Sequence, residues 1–246
     1  MASTPETTEP IPTTHPTHTT HTTHTTTTTT QYADPTPCPI LNPFQQCNPS
    51  NNTTELTQQD LYGGAITMSF GTDFKDISHI RVVPDHQEVW TDTYDNTIIV
   101  ELLNCKDIPD TDAGQFFFTD LAESSDAGAH DLSYSGVLDH AICPEISTDV
   151  VKCGAVGSHV VSKFHDEDKS GTSARNQVMV YVINLRLKEV GTDMLVTMYR
   201  TIQVGETSST TEVKEIETRD HPDFPSLGSF MAMVGTIKIV SHELFG

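Results

Sequence analysis

From Leu61 onward, apolar residues recur in short blocks bounded by Gly, Pro, Asp and Asn, the pattern of a folded mixed domain. Residues 65–70 (AITMSF) follow the Gly63-Gly64 pair and predict a strand, and 73–80 predict an irregular or one-turn helical connection. A hairpin is expected next. Residues 89–94 and 97–103 (TIIVELL) are rich in strand formers and flank Asp95-Asn96, which suits a two-residue type I′ turn. Residues 115–124 (QFFFTDLAES) predict a short amphipathic helix, and 137–142 and 157–164 predict weaker strands. Residues 178–190 (VMVYVINLRLKEV) alternate apolar and polar at their distal end, turn at Gly191-Thr192-Asp193 and continue into 194–202 (MLVTMYRTI), a long antiparallel pair. Leu227, Phe230, Met231 and Val234 recur at helical intervals within 226–239, with Ser226 as N-cap after Pro225. The expected class is α+β, a mostly antiparallel sheet sandwiched between helices, the last helix covering one face.

The first 58 residues lack this pattern. They contain no Lys or Arg and are dominated by Thr, Pro, Asn and His. Such a segment buries too little apolar surface to offset an ordering cost of about 1 to 2 kcal/mol per residue. Residues 1–58 are therefore expected to be a disordered low-complexity tail, and 59–246 the folded domain. His15, His18, His21 and His24 recur every third residue and would line one edge of a polyproline II helix. At a rise of about 3.1 Å per residue, successive imidazoles lie about 9 Å apart, too far to share one ion. Low-complexity drift is the favoured reading, and no metal site is expected.

Charge narrows the partners. The net charge is −21, and Glu6, Glu9, Asp34 and Glu55 are the only acids before position 59, which leaves −17 on the folded part. Nucleic acid binding relies on Lys and Arg to displace counterions, so this balance argues against it; a basic protein surface is a suitable partner, although on charge alone an acidity that only keeps the protein soluble is the favoured reading. Five cysteines (Cys38, Cys47, Cys105, Cys143, Cys153) without CxxC spacing suggest reduced thiols. No basic and apolar leader opens the chain, and no run reaches the roughly 18 apolar residues of a membrane helix. A soluble, intracellular monomer without membrane attachment is expected, so the sequons at Asn51 and Asn52 are read as chance products of an Asn/Thr-rich stretch.

Catalytic signatures do not emerge. There is no GxxxxGK[ST] phosphate loop, GxSxG elbow, HExxH or GxGxxG, and the run from His165 to Lys169 reads as a solvated loop. His130, His140 and His159 are scattered. Neither covalent chemistry nor a cofactor is expected.

One segment carries a positive signal. Val83-Pro84-Asp85-His86-Gln87-Glu88-Val89-Trp90 places two carboxylates three residues apart before a strand. If Pro84 opens a single helical turn, Asp85 and Glu88 share a face and form a negative patch. In a continuous strand they would point to opposite faces. A local cap, with Asp85 accepting from the backbone three residues on and Glu88 reaching back as in a capping box, is the favoured reading of these residues taken alone.

This element, with Leu61-Tyr62-Gly63-Gly64-Ala65 before it and Ile98-Ile99-Val100-Glu101-Leu102-Leu103 after it, resembles the Ran guanine nucleotide release factor (Mog) family in order and spacing. Two later strings, Thr192-Asp193-Met194-Leu195-Val196-Thr197 and Ser226-Leu227-Gly228-Ser229-Phe230, resemble its penultimate strand and the start of its last helix. The likeness is weak over 105–173. It implies a sheet-and-helix fold of the Mog/PsbP-like kind, binding to the small GTPase Ran, promotion of guanine nucleotide release, and a role in nuclear protein import in nucleus and cytoplasm. It also implies that Asp85 and Glu88 contact Ran, with Gln87 included by proximity. An adaptor of the same fold that binds another protein is the alternative.

Overall fold

The computed structural model describes residues 42–46, 55–162, 175–205 and 227–245. Its framework is the long antiparallel pair β8 (Arg175–Leu187) and β9 (Thr192–Gln203). Side-chain alternation gives this pair two apolar faces. Tyr181, Ile183, Leu185, Met194, Val196 and Met198 pack into one core, whereas Val178, Val180, Val182 and Leu195 pack into another. A sheet that is apolar on both sides must be covered twice. Five further strands complete it: β3 (Lys75–Asp76), β4 (Gln87–Thr91), β5 (Thr97–Asn104), β6 (Ala129–Val137) and β7 (Val151–Ser162), in the order β3-β4-β5-β9-β8-β7-β6. Helix α2 (Asp110–Ser124) covers one face through Phe117 and Phe118. The other face is covered by helix α3 (Leu227–Val234) and a small sheet of β1 (Leu56–Leu61), β2 (Ile66–Gly71) and β10 (Lys238–Ile239). The α+β class, the antiparallel pairing and the covering role of the last helix are as expected. No described helix is long and apolar enough to cross a membrane.

The expected boundary at residue 58 gives way to two ordered pieces. β1 starts at Leu56 and pairs with β2 over its full length. Pro43–Gln46 forms a helical turn, α1, whose Phe44 N–H donates to the Asn42 carboxamide oxygen at 3.0 Å. Phe44 is buried, edge-on to Tyr134 at 5.9 Å. A lone aromatic within a polar run gives no periodicity, so only its tertiary partner marks it. The histidine repeat, Cys38, Cys47, Asn51, Asn52, the 165–169 run and Ser226 lie outside the described residues.

Several element ends also move. The β4–β5 connection spans five residues, because Thr91 pairs with Thr97 and Asp92 organises the loop. The Asp92 carboxylate accepts from the backbone N–H of Tyr94 and Asn96 and from the Asn96 amide, while Asp95 takes the left-handed conformation at φ 65°. Helix α2 begins five residues before the expected 115. Its Gly114 looks like a turn signal but is a packing residue: a Cβ there would lie 2.4 Å from the Gly154 carbonyl oxygen of β7. The strand expected over 137–142 instead ends at Val137, and His140–Ile142 is a 3-10 turn capped by Asp139. β7 begins at Val151, six residues before the expected start, because small residues replace the usual strand formers: Cys153, Ala155 and Gly157 where α2 approaches, and Gly154 where Leu138 and Phe44 pack on the other face. The final helix stops at Val234, and Lys238–Ile239 leaves it to pair with β2.

Candidate protein-docking site

The acidic element is neither a helical turn nor a capping box. The Gln87 N–H donates to the Pro84 carbonyl at 2.9 Å, closing a tight turn with Asp85 and His86 at its centre. Hairpin pairing begins at once, with Gln87 opposite Glu101 and Glu88 opposite Val100. Glu88 is therefore a strand residue, on the opposite face from Gln87. The two carboxylates have different surroundings. Asp85 is exposed at the turn, whereas Glu88 is half-buried.

Glu88 finds its partner 26 residues upstream. Its Oε1 accepts the backbone N–H of Tyr62 at 2.7 Å. Tyr62 adopts φ 51°, an outlier for a bulky residue, and is followed by Gly63 at φ 66° and Gly64 at φ 90°. This left-handed run reverses the chain between β1 and β2, and glycine at two of its three positions keeps it free of Cβ clashes. The Tyr62 hydroxyl lies 2.8 Å from the Val100 carbonyl and 3.0 Å from that of His86, its single proton shared between them. Burial, and then the negative charges of Glu88 and Glu101, push this phenol well above its ordinary pKa, so it stays a donor.

On the other face of the hairpin, the Gln87 amide donates to Glu101 Oε1 at 2.6 Å, and His86 Nε2 lies 3.4 Å from the same oxygen. Sequence reading placed Gln87 here by proximity but did not find Tyr62 or Glu101. The Tyr-Gly-Gly string pointed to the first, and the hairpin register would have pointed to the second. The loop into the turn adds apolar surface: Ile80 is 72% exposed and Val82 is 97% exposed. An exposed carboxylate beside exposed aliphatic side chains is equipped to meet a basic, partly apolar protein surface.

His159 is buried with neither ring nitrogen hydrogen-bonded, while His130 and His140 are exposed. Burial pushes the thiols of Cys143 and Cys153 up to about 12, far from a reactive thiolate. No cluster of three or more His, Cys, Asp or Glu that could hold a metal occurs among the described residues. A cavity of about 520 Å³ lies between α1, residues 138–144 and α3, where Phe44, Leu138, Ile142 and Met231 line it and Asp139 is its one titratable wall residue among those described. Two buried charges, Arg186 and Asp193, form an ion pair at 3.1 Å. Arg186 also donates to the Ile108 carbonyl and Asp110, and Asp193 accepts from the Lys106 N–H, so the pair anchors the link from β5 to α2.

Several known proteins are similar to this chain. The "Ran guanine nucleotide release factor" of Danio rerio is 33% identical over 193 residues, covering 76% of this chain and 98% of its own. The "Nuclear import protein MOG1" of Saccharomyces cerevisiae is 26% identical over 221 residues, covering 85% and 92%. Among solved structures, the S. cerevisiae Ran-binding protein Mog1p superposes with a TM-score of 0.55 at 25% identity, covering 79% of this chain and all of that one. The family model described as "Ran-interacting Mog1 protein" matches residues 59–201, more than half of the chain, and the chain belongs to that family.

Proposed function

We propose that this protein binds the small GTPase Ran and promotes release of its guanine nucleotide, acting in nuclear protein import in the nucleus and cytoplasm. It works by binding, as a monomer, and forms no covalent bond to nucleotide or partner. By linkage, a partner that prefers the nucleotide-free or distorted GTPase lowers nucleotide affinity by the same factor. The element formed by Asp85, Gln87 and Glu88 faces Ran, with Asp85 as the direct contact to a basic residue. Gln87 and Glu88 shape the surface around it.

The observation that carries this reading is the exposed Asp85 turn beside Ile80 and Val82, on a chain related to proteins named for Ran binding and nucleotide release. Loss of a charge pair that becomes buried on binding costs about 2 kcal/mol or more, roughly thirtyfold in affinity. The test is release of a fluorescent guanine nucleotide from Ran over a concentration series of the protein. Asp85→Ala should raise the half-saturating concentration by that factor with an unchanged melting temperature. Equal potency of wild type and variant removes Asp85 from the interface, and no acceleration by either removes Ran exchange as the function.

A further inference from the structure

We infer that Tyr62 is a positioning residue for the docking turn: its hydroxyl braces the His86 carbonyl and thereby sets the direction in which Asp85 is presented. The inference rests on Asp85 being the Ran contact proposed above. Three hydrogen-bond contacts tie the loop at 62–64 to the hairpin. The Tyr62 N–H is fixed on Glu88, and its hydroxyl is shared between Val100 and His86. His86 is the residue after Asp85, and its carbonyl also accepts the Leu102 N–H at 2.9 Å. The peptide that joins His86 to Gln87 is thus held from two sides, by the neighbouring strand and by the tyrosine. The closing bond from Gln87 to Pro84 depends on that peptide staying in place.

The left-handed conformation of Tyr62 bears on the same point. A bulky side chain at φ 51° persists only where its surroundings over-determine it. Here the surroundings are the half-buried Glu88 carboxylate and the two hairpin carbonyls. Glu88 consequently acts on the docking surface through Tyr62, by holding the N–H that aims the ring across the hairpin. A purely structural tyrosine would stabilise the fold without being coupled to Asp85.

Tyr62→Phe keeps the ring and the backbone and removes only the hydroxyl. In the nucleotide-release assay with full-length chain, it should raise the half-saturating concentration about fivefold, the worth of one hydrogen bond. The discriminating measurement is the same substitution on the Asp85→Ala background, where it should add less than about twofold because the two act as one unit. An undiminished effect of Tyr62→Phe on that background overturns the inference, as does wild-type potency of the single variant. If Asp85→Ala itself leaves release unchanged, the Ran contact fails and the inference falls with it. A readout in the free protein guards against a folding defect: amide exchange at Gln87 should accelerate at least about fivefold while β8 and β9 keep their protection. Unchanged protection at Gln87 overturns the bracing role.

Discussion

At position 159 a histidine occupies an interior strand site, with its ring 4.5 Å from Phe118 in an edge-to-face contact and 6.2 Å from the ring of His130. Burial, and then the neighbouring His130, lower its pKa from 6.5 to about 4. Between these values the unfolded chain takes up a proton that the native chain refuses, so stability falls as pH drops through this window and is unaffected above it. At 1.36 kcal/mol per unit the loss amounts to about 3 kcal/mol. Urea unfolding of wild type and His159→Phe at pH 7 and pH 4 should show the variant losing less stability by about this amount; parallel losses would mean that His159 is protonated in the fold. The same residue-scale logic separates Asp85 from Glu88. Both are acidic and three apart, but solvent surrounds one and a backbone N–H occupies the other.

At the scale of elements, close approach explains what the residue pattern conceals. Helix α2 lies so near β7 that Gly114 faces the Gly154 carbonyl without room for a methyl group. Alanine at position 114 would contribute about 1 kcal/mol of helix propensity, but overpacking against a backbone atom that cannot rotate away costs about 1 to 3 kcal/mol. Gly114→Ala is therefore expected to be destabilising by up to about 2 kcal/mol, read as a lower urea midpoint with an unchanged slope. A rise in the midpoint would show that the helix can slide outward at no cost. The β4–β5 hairpin illustrates a different device. Its five-residue loop is held by the Asp92 carboxylate, and its register places Gln87 opposite Glu101, which leaves the Asp85 turn projecting beyond the paired region.

Over the whole molecule, a net charge of −21 produces a long-range field that guides approach to a basic partner. Association with Ran should therefore slow at least about tenfold between roughly 0.05 and 0.5 M salt, with dissociation changing much less. Stopped-flow binding at several ionic strengths measures this, and a salt-independent association rate would assign recognition to apolar contacts such as Ile80 and Val82. The two-sided sheet gives that encounter a rigid base. β8 and β9 are covered on both faces, while the docking turn sits at the far end of β4, one strand from the sheet edge.

Local pattern and composition were enough to place the paired strands of 178–202, the hairpin after Trp90, the C-terminal helix, the acidity and the acidic element. All of these follow from local periodicity or composition, which survive without knowledge of distant neighbours. Local pattern missed β6 and the start of β7, whose small or polar residues answer to the α2 helix on one side and to Leu138 and Phe44 on the other, and it missed Phe44 itself, which only its buried partner marks. The buried Arg186–Asp193 pair was likewise invisible, because a charge reads as surface until its counter-charge is placed beside it. Long-range packing alone sets Asp85 in solvent and Glu88 on Tyr62. The reason is that a hydrogen bond between residues 26 apart depends on how two sheets pack, and spacing within a single segment contains no record of that.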